Sequence, residues 1–280
     1  MDPTQTHSPG DGAPPPGPPW DSPIEEAPLA FVDLEMTGLR VGEDRVIEVC
    51  IERVRGGVCE ERVQQVINPA GRSGAATEHV HGLLRAELES APTFDAIAET
   101  TCRLLKGAVL VAHGAQWDLA FLRDELGRLG LGDRAPAHAV DTLVLCRRAL
   151  HLPAYGLQSV AAALSIPVAR AHRAGDDVAT LRAVWARVVP ELAPRTARDL
   201  WEIRVGERVP RPAIVESLTE ALRRGEPVEI VYRPARRGAE RLLVVLSSLV
   251  PPHAIGYLLP SRGRRELRID RILRVEPHSP

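Results

Sequence analysis

Between Leu29 and Val189 the chain alternates short apolar runs with segments of helical periodicity, and this alternation constrains the fold more than any other feature of the sequence. The run Leu29–Thr37 ends at Gly38 and predicts a buried strand. The next two runs flank Arg55–Gly57 and predict an antiparallel hairpin. After this first strand, the pattern predicts strands at Val46–Val54, Val58–Ile67, Ala108–His113 and Ala137–Asp141. It predicts helices at Phe94–Leu105, Trp117–Leu129, Thr142–Leu150, Leu157–Leu164 and Asp176–Val189. Strands that alternate with helices in this way predict a three-layer α/β domain.

Length and composition indicate a globular chain with more than one domain. The chain has 280 residues, which is enough for two buried cores. The first 28 residues are rich in Pro and Gly and are predicted to form a disordered tail. They also lack the features of a secretory signal, and no apolar run is long enough to span a bilayer, so we expect a cytoplasmic protein without membrane partners. The four cysteines are widely separated and predict neither a zinc site nor a disulfide framework.

Four carboxylates lie at the ends of predicted elements. Asp33 and Glu35 are two residues apart on the first strand, so their side chains point to the same face. A single pair of this kind commonly faces water. Two further acids lie at element ends: Asp118 opens a helix after a strand, and Asp177 is near the start of a later helix. Four acids in such positions favour a shared pocket over separate solvent-exposed groups. Oxygen ligands of this kind suit magnesium or manganese, and the set predicts a site for two such ions.

Three segments resemble, in order and spacing, the motifs of the DEDDh superfamily of exonucleases, most closely the proofreading epsilon-type subunits of bacterial DNA polymerase III. They are Phe31–Leu39 (FVDLEMTGL), His113–Asp118 (HGAQWD) and His172–Asp177 (HRAGDD). Four connecting segments are also similar to that branch: Asn68–Pro69, His79–Gly82 (HVHG), Ala91–Phe94 (APTF) and Tyr155–Ser159 (YGLQS). The resemblance covers about Leu29–Val189 and implies an RNase H-like exonuclease domain with a mixed sheet.

The resemblance assigns a role to each residue of these motifs. It implies that His172 is the general base, and the five-residue step from His172 selects Asp177 rather than Asp176 as the last metal ligand. The implied metal ligands are Asp33, Glu35, Asp118 and Asp177, and the implied contacts to the terminal nucleotide are Thr37, Gly38, Leu39 and His81. His81 is almost equally well explained as an ordinary turn residue.

Two residues of the second motif depart from the family pattern. Gly114 stands where Asn is usual, a change that we expect to loosen the turn from strand to helix. Trp117 stands where Phe is usual and keeps an aromatic face on which a base can stack. An ordinary core position explains Trp117 equally well.

The C-terminal part of the chain differs in charge from the rest. Residues 204–280 carry fifteen Arg against nine acidic residues, a net of +6, and the remaining 20 basic and 28 acidic residues give −8. After a linker at 191–212 with a short helix around Leu200, the predicted elements are a helix at Ala213–Arg224 and strands at Val228–Arg233, Arg241–Ser247, Ile255–Leu259 and Glu266–Ile269. This small, barrel-like α+β unit at 213–280 resembles a WYL domain, with Gly256-Tyr257-Leu258 in place of Trp-Tyr-Leu.

Three functions remain open on the sequence. The preferred one is a metal-dependent 3′-to-5′ exonuclease on single-stranded nucleic acid, DNA in preference to RNA, acting with a DNA polymerase or repair partner. The second is an oligoribonuclease-like enzyme for very short RNA, because Asp33–Leu39 also resembles that branch. The third is a nucleic-acid sensor without catalysis, although every catalytic residue is retained. The Arg-rich C-terminal part fits either nucleic acid or a regulatory ligand.

Overall fold

The structure is a computed structural model that describes residues 12–71, 81–205, 210–234 and 239–278, with the side chains of 204 and 205 excepted. The chain divides into two compact units. The N-terminal unit comprises the chain up to Leu143 together with Ala154–Trp185 and Thr196–Arg198. The C-terminal unit comprises Val144–Pro153, Ala186–Arg195 and Asp199–Pro280. The predicted boundaries at 29–190, 191–212 and 213–280 stay a prediction.

The sheet of the N-terminal unit is mixed, as predicted. Its strands are β1 (Leu29–Met36), β2 (Val46–Arg55), β3 (Val58–Val66), β4 (Val109–Ala112) and β5 (Ala139–Asp141), in the order β3-β2-β1-β4-β5. β1 pairs in parallel with β4, and β4 with β5, whereas β2 and β3 run antiparallel. The carboxyl ends of β1, β4 and β5 therefore lie at one edge of the sheet.

Helices cover both faces of this sheet. The helices up to Val205 are α1 (Arg85–Ser90), α2 (Asp95–Leu105), α3 (Gln116–Arg128), α4 (Thr142–Ala149), α5 (Leu157–Ala163), α6 (Ala174–Leu192) and α7 (Ala197–Val205). Most of α4 and α7 belongs to the C-terminal unit. On one face, Val32 of β1 belongs to a core that includes Ile97 of α2 and Leu122 of α3. On the other face, the Phe31 ring meets the Trp185 ring of α6 edge-on at 5.5 Å. The predicted three-layer α/β architecture is confirmed.

The C-terminal unit contains a helix and a second, antiparallel sheet. Helix α8 (Pro212–Arg224) ends at Gly225, whose φ of 68° closes the helix in the left-handed conformation. The strands are β6 (Val228–Tyr232), β7 (Glu240–Val250), β8 (His253–Leu258), β9 (Arg264–Arg268) and β10 (Ile272–Pro277), in the order β10-β6-β7-β8-β9. Leu218 of α8 packs with Ile230 and Val244 in the core of this unit. Closure of the sheet into a barrel stays a prediction.

The prediction of a disordered tail is wrong for residues 12–28. Trp20 is buried, and its ring meets the His138 ring edge-on at 6.1 Å. The Arg198 guanidinium donates to the carbonyl oxygens of Pro14 (2.9 Å) and Pro15 (2.7 Å). A Pro-rich segment keeps its carbonyls available as acceptors, and these long-range contacts leave no signal in the segment's own composition. Residues 1–11 lie outside the described residues.

Several element bounds also differ from the prediction. Helix α6 continues through Pro190 to Leu192, because a proline in the last turn removes only one hydrogen bond. Helix α1 and strand β10 were not predicted, and the short helix around Leu200 is confirmed as α7. Arg262 precedes β9 in a turn with φ 58°, so it does not share a strand face with Arg264 and Arg268. Among the described residues, no helix is long and apolar enough to cross a bilayer.

Candidate active site

Strand β1 places two carboxylates beyond the point where its parallel neighbour stops. The pairing of β1 with β4 covers only Leu29–Phe31, so Asp33 and Glu35 lie past the carboxyl end of β4. Val32 and Leu34, which alternate with them, are buried in the core. The period of two therefore fixes both carboxylates on the opposite face, as the sequence predicted.

Helix α3 brings the third carboxylate to the same edge. The chain leaves β4 at Ala112 and enters α3 at Gln116, so Asp118 lies in the first turn of the helix. Its side chain is only 7% exposed. The backbone of Leu34, on β1 between Asp33 and Glu35, is one of the groups that lower the pKa of this carboxyl against the effect of its burial.

Asp177 is held from two directions at the start of α6. The Gln158 side-chain amide donates to its Oδ1 at 2.5 Å, and the backbone N–H of His172 donates to its Oδ2 at 2.8 Å. His172 itself is exposed and has φ 60°, a left-handed conformation that His adopts more readily than most residues. Asp177 is therefore fixed in place while the imidazole projects from the loop.

The predicted ligands converge. Oxygen atoms of Glu35 and Asp177 and a ring nitrogen of His172 all lie within 4.8 Å of one another, close enough to share a metal ion. The charges of Asp118, Asp177 and Glu35 each raise the pKa of Asp33. All five residues singled out in the sequence as catalytic or metal-binding are thus brought to one edge of the sheet.

The electrostatics of the cluster show that it lacks positive charge. Desolvation, with repulsion from Asp118 and Asp177, raises the pKa of Asp33 well above its ordinary value. Desolvation raises the pKa of Asp118 to about 8 and that of Glu35 to about 7. The pKa of Asp177 is raised by desolvation, against its two hydrogen bonds. Because burial and like charges both oppose ionisation, a bound cation would stabilise the ionised cluster.

The comparisons with known proteins agree with this geometry. The profile of the RNase_T family, described as exonuclease, matches residues 30–184, which is more than half of the chain. The chain belongs to this exonuclease family. It is 30% identical over 182 residues to a DNA polymerase III subunit epsilon-like protein of Rhodobacter capsulatus, covering 62% of this chain and 25% of that protein. It is 28% identical over 178 residues to the 3′-5′ exonuclease DinG of Bacillus subtilis, covering 63% of this chain and 19% of DinG.

A solved structure resembles a larger part of the chain. The zinc-bound complex of E. coli ExoI with single-stranded DNA has a TM-score of 0.55 at 16% identity, and the alignment covers 90% of this chain and 65% of ExoI. A match of 90% of the 280 residues necessarily extends past residue 184 into the C-terminal unit. The likeness concerns the fold alone. The chain spans only 12% to 25% of the length of the first curated relatives that it matches.

The turn between β4 and α3 explains why Gly114 can stand where Asn is usual in the second motif. Gly114 has φ 80°, a conformation in which Gly is unstrained and which Asn tolerates better than most residues. Its N–H donates to Asp141 Oδ1 at 2.9 Å, and so does the N–H of Leu143. Asp141 therefore holds the turn from the end of β5, and the expectation that Gly114 loosens this turn stays a prediction.

The loop after β1 is closed around a buried acid. Thr37 is 5% exposed, and its hydroxyl donates to Asp44 Oδ1 at 3.3 Å and accepts from the Arg45 N–H at 3.0 Å. A Cβ at Gly38 would meet Asp44 Oδ2 at 2.5 Å, so the loop needs glycine there. Thr37 and Gly38 therefore shape the loop, which leaves Leu39 58% exposed at its surface.

The other two residues implied to contact nucleotide differ in exposure. Trp117 is 38% exposed and precedes Asp118, so the interpretation as a fully buried core residue is wrong. His81 is 3% exposed, and its Nδ1 accepts the N–H of Leu83 at 3.0 Å, as expected of a turn residue. Residues 79 and 80 of the His79–Gly82 segment lie outside the described residues.

Sequence reasoning missed two acids that support the site. Glu48 of β2 lies opposite Glu35 in the antiparallel register, and Glu125 lies on α3, and each is 1% exposed. Each accepts two hydrogen bonds from one arginine, Arg173 for Glu48 and Arg45 for Glu125. The signal for Glu48 was an acid inside the otherwise apolar run Val46–Ile51, since a buried acid requires a partner.

Proposed function

We propose that this exonuclease removes nucleoside monophosphates one at a time from the 3′ end of single-stranded nucleic acid, with DNA preferred over RNA. The proposal rests on the convergence of Glu35, Asp177 and His172. The carboxylate of Asp33 lies in the same cluster, since the charges of Asp118, Asp177 and Glu35 raise its pKa. The relative named 3′-5′ exonuclease DinG supports the direction of cleavage. The fold shared with ExoI, solved with single-stranded DNA, supports the substrate.

The acidic cluster fits divalent cations. Its donors are carboxylate oxygens, which magnesium and manganese prefer, and their raised pKa values indicate that ionisation of the cluster needs added positive charge. Asp33, Glu35, Asp118 and Asp177 would hold two such ions. Bound divalent ions supply charge stabilisation at the phosphoryl group and assistance in forming hydroxide from water.

His172 is suited to accept the proton of the attacking water. The imidazole is exposed to solvent beside Glu35 and Asp177, and its ring nitrogens can accept a proton. Deprotonation of water at the moment of attack is the role of a general base. The loop conformation at His172, fixed through Asp177, presents the ring to the carboxylates.

The 3′-terminal nucleotide is proposed to pack against the exposed side chains beside the carboxylates. Leu39 lies in the loop after β1, and Trp117 precedes Asp118 on α3. An aromatic ring stacks on any base, which suits an enzyme that shortens strands of any sequence. His81 belongs to the same proposal through the family resemblance alone.

The C-terminal unit is proposed to bind the strand beyond the site. Tyr257 of β8 is 44% exposed and lies opposite Arg264 of β9 in the sheet register. An exposed ring beside an arginine suits a base and its phosphate. Arg268 is less available, because Asp270 accepts two hydrogen bonds from it at 2.9 and 3.1 Å. The WYL-like character of the unit stays part of this proposal.

A protein partner is also proposed. Relatives of this chain are named DNA polymerase III, and one is an epsilon-like subunit. These names support a DNA polymerase or a repair protein as the partner of this exonuclease.

The proposal is tested with oligonucleotides labelled at the 5′ end. Purified protein is incubated with single-stranded DNA and RNA of 20 nucleotides and with an RNA dinucleotide, in magnesium, manganese or EDTA. We expect a ladder that shortens by single nucleotides, faster on DNA, and no cleavage in EDTA. Internal cuts, shortening from the labelled end, or cleavage confined to the dinucleotide would contradict the proposal.

A further inference from the structure

Two buried glutamates hold the two loops that border the exonuclease site, and they do so in the same way. Glu48 Oε2 accepts from Arg173 Nε at 2.9 Å and from the Ala174 N–H at 3.2 Å, and its Oε1 accepts from a terminal nitrogen of Arg173 at 3.2 Å. Glu125 accepts twice from Arg45 at 2.7 Å and once from the Val46 N–H at 3.1 Å. Each glutamate thus binds both an arginine side chain and the backbone of the following residue.

The loop held by Glu48 carries His172. Among the described residues, no hydrogen bond is made by the His172 ring, so the backbone on either side determines where the imidazole lies. On one side the His172 N–H is held by Asp177, and on the other Arg173 and Ala174 are held by Glu48. Glu48 is a suitable anchor, because it lies on β2 in the interior of the sheet.

We propose that the Glu48–Arg173 pair is a positioning device that keeps the His172 imidazole in its catalytic place. The proposal rests on the proposed function, since it assigns the pair an effect on the base of that reaction. Glu48 and Arg173 contact neither the attacking water nor the substrate, and they act on His172 through the backbone of its loop. The Glu125–Arg45 pair is the matched control, because its glutamate is equally buried and makes the same three hydrogen bonds but holds the loop between β1 and β2. Glu48 differs only in a further, longer bond from the Gln64 amide at 3.4 Å.

The test compares two double variants, Glu48→Gln/Arg173→Met and Glu125→Gln/Arg45→Met. Removing both charges of a pair avoids leaving one buried charge without its partner. Each double variant is made in the wild-type chain and in a His172→Ala chain, and kcat and KM are measured on a single-stranded DNA oligomer with manganese. Substitutions of residues that act as one unit have non-additive effects on kcat. A pair that acts through His172 should therefore lose its effect on kcat in the His172→Ala background, whereas a pair that acts independently should keep it.

For Glu48→Gln/Arg173→Met we expect kcat to fall by about 10- to 100-fold in the wild-type background, because misplacement of a catalytic group lowers the rate by about this factor. KM should change by less than about twofold, and the His172→Ala background should show no further loss of kcat. Glu125→Gln/Arg45→Met should change kcat by the same factor in both backgrounds. An equal loss of kcat for the Glu48 pair in both backgrounds, or no loss in the wild-type background, would overturn the positioning role.

A second measurement does not depend on activity. In the metal-free protein, amide hydrogen exchange over residues 168–176 should become faster in the Glu48 variant, and exchange over residues 37–46 should become faster in the Glu125 variant. Unchanged exchange over 168–176 would overturn the anchor itself. Failure of the proposed function gives a different result, since wild-type protein would then not cleave DNA, or His172→Ala would cleave it as fast as wild type.

Discussion

The His172 imidazole is placed by its backbone, and its own chemistry is tested by removing the ring. We predict that His172→Ala lowers kcat by roughly a hundred- to ten-thousand-fold at neutral pH, as expected for loss of a general base. The comparison is made from pH profiles of kcat on single-stranded DNA. His172 is not the base if the variant keeps both the wild-type rate and the acid limb of the profile.

The carboxylates of the site predict an unusual response of stability to pH. The pKa of Glu35 is raised to about 7 and that of Asp118 to about 8, so the folded protein holds protons that the unfolded chain has lost. The free energy of unfolding of metal-free protein should therefore fall as pH rises from about 5 to about 8. Each unit of raised pKa corresponds to about 1.4 kcal/mol for one group.

Thermal unfolding in EDTA and in manganese at pH 5.5 and 8.5 measures this effect. We expect Tm in EDTA to be lower at pH 8.5, and manganese to raise Tm more at pH 8.5 than at pH 5.5, because metal binding requires ionised ligands. Asp118→Asn, which removes one of the raised groups, should reduce both differences. Equal stabilisation by manganese at the two pH values would exclude protonated ligands in the metal-free site.

At the scale of elements, the β4–α3 turn depends on a left-handed residue at position 114. We predict that Gly114→Asn changes the free energy of unfolding little, because Asn tolerates the observed φ of 80°. Gly114→Val should cost about 1 to 3 kcal/mol, since a β-branched residue is strained there. Urea denaturation of both variants measures the difference. Equal stability of the Asn and Val variants would mean that the turn changes conformation freely.

The elements of the exonuclease sheet were predictable because their signals are local. The period of two along β1 placed Asp33 and Glu35 on one face, and the strand and helix pattern placed Asp118 and Asp177 at element ends. The pairing of Glu48 with Arg173 joins residues 125 positions apart, so no spacing rule could find it. Trp20 was missed for the same reason, as its contact with His138 is absent from the Pro-rich pattern around it.

In the whole molecule, the net charge of the C-terminal part is a poor measure of how many arginines are available to bind phosphate. Several arginines of the C-terminal unit are ion-paired, including Arg268 with Asp270 and Arg223 with Glu220. Truncation near residue 203 would also leave behind Val144–Pro153 and Ala186–Arg195 of that unit. Point substitutions in the full chain are therefore the better test of strand binding.

We predict that Arg264→Gln weakens binding to long single strands and lowers the slope of log affinity against log salt by about 0.7, the value for one phosphate contact. Tyr257→Ala should weaken binding by about 1 to 3 kcal/mol through loss of stacking. Arg223→Gln removes the same charge from a paired arginine and is the control. Fluorescence anisotropy at several salt concentrations measures all three. Equal effects of Arg264→Gln and Arg223→Gln would indicate that net charge, rather than the Tyr257 surface, determines binding.

We propose that four carboxylates at one edge of the sheet form the metal site of this exonuclease, and substitution of Asp118 removes one of these ligands. Asp118→Asn removes one charge with little change of shape, and Asp124→Asn is a control on the same helix, where Asp124 pairs with Arg128. The measurement is the initial rate of shortening of 5′-labelled single-stranded DNA in saturating manganese. We predict a loss of at least about a thousandfold for Asp118→Asn, which corresponds to several kcal/mol of transition-state stabilisation, and a wild-type rate for Asp124→Asn. A wild-type rate for Asp118→Asn in a folded protein would show that Asp118 is not a ligand of a catalytic metal ion.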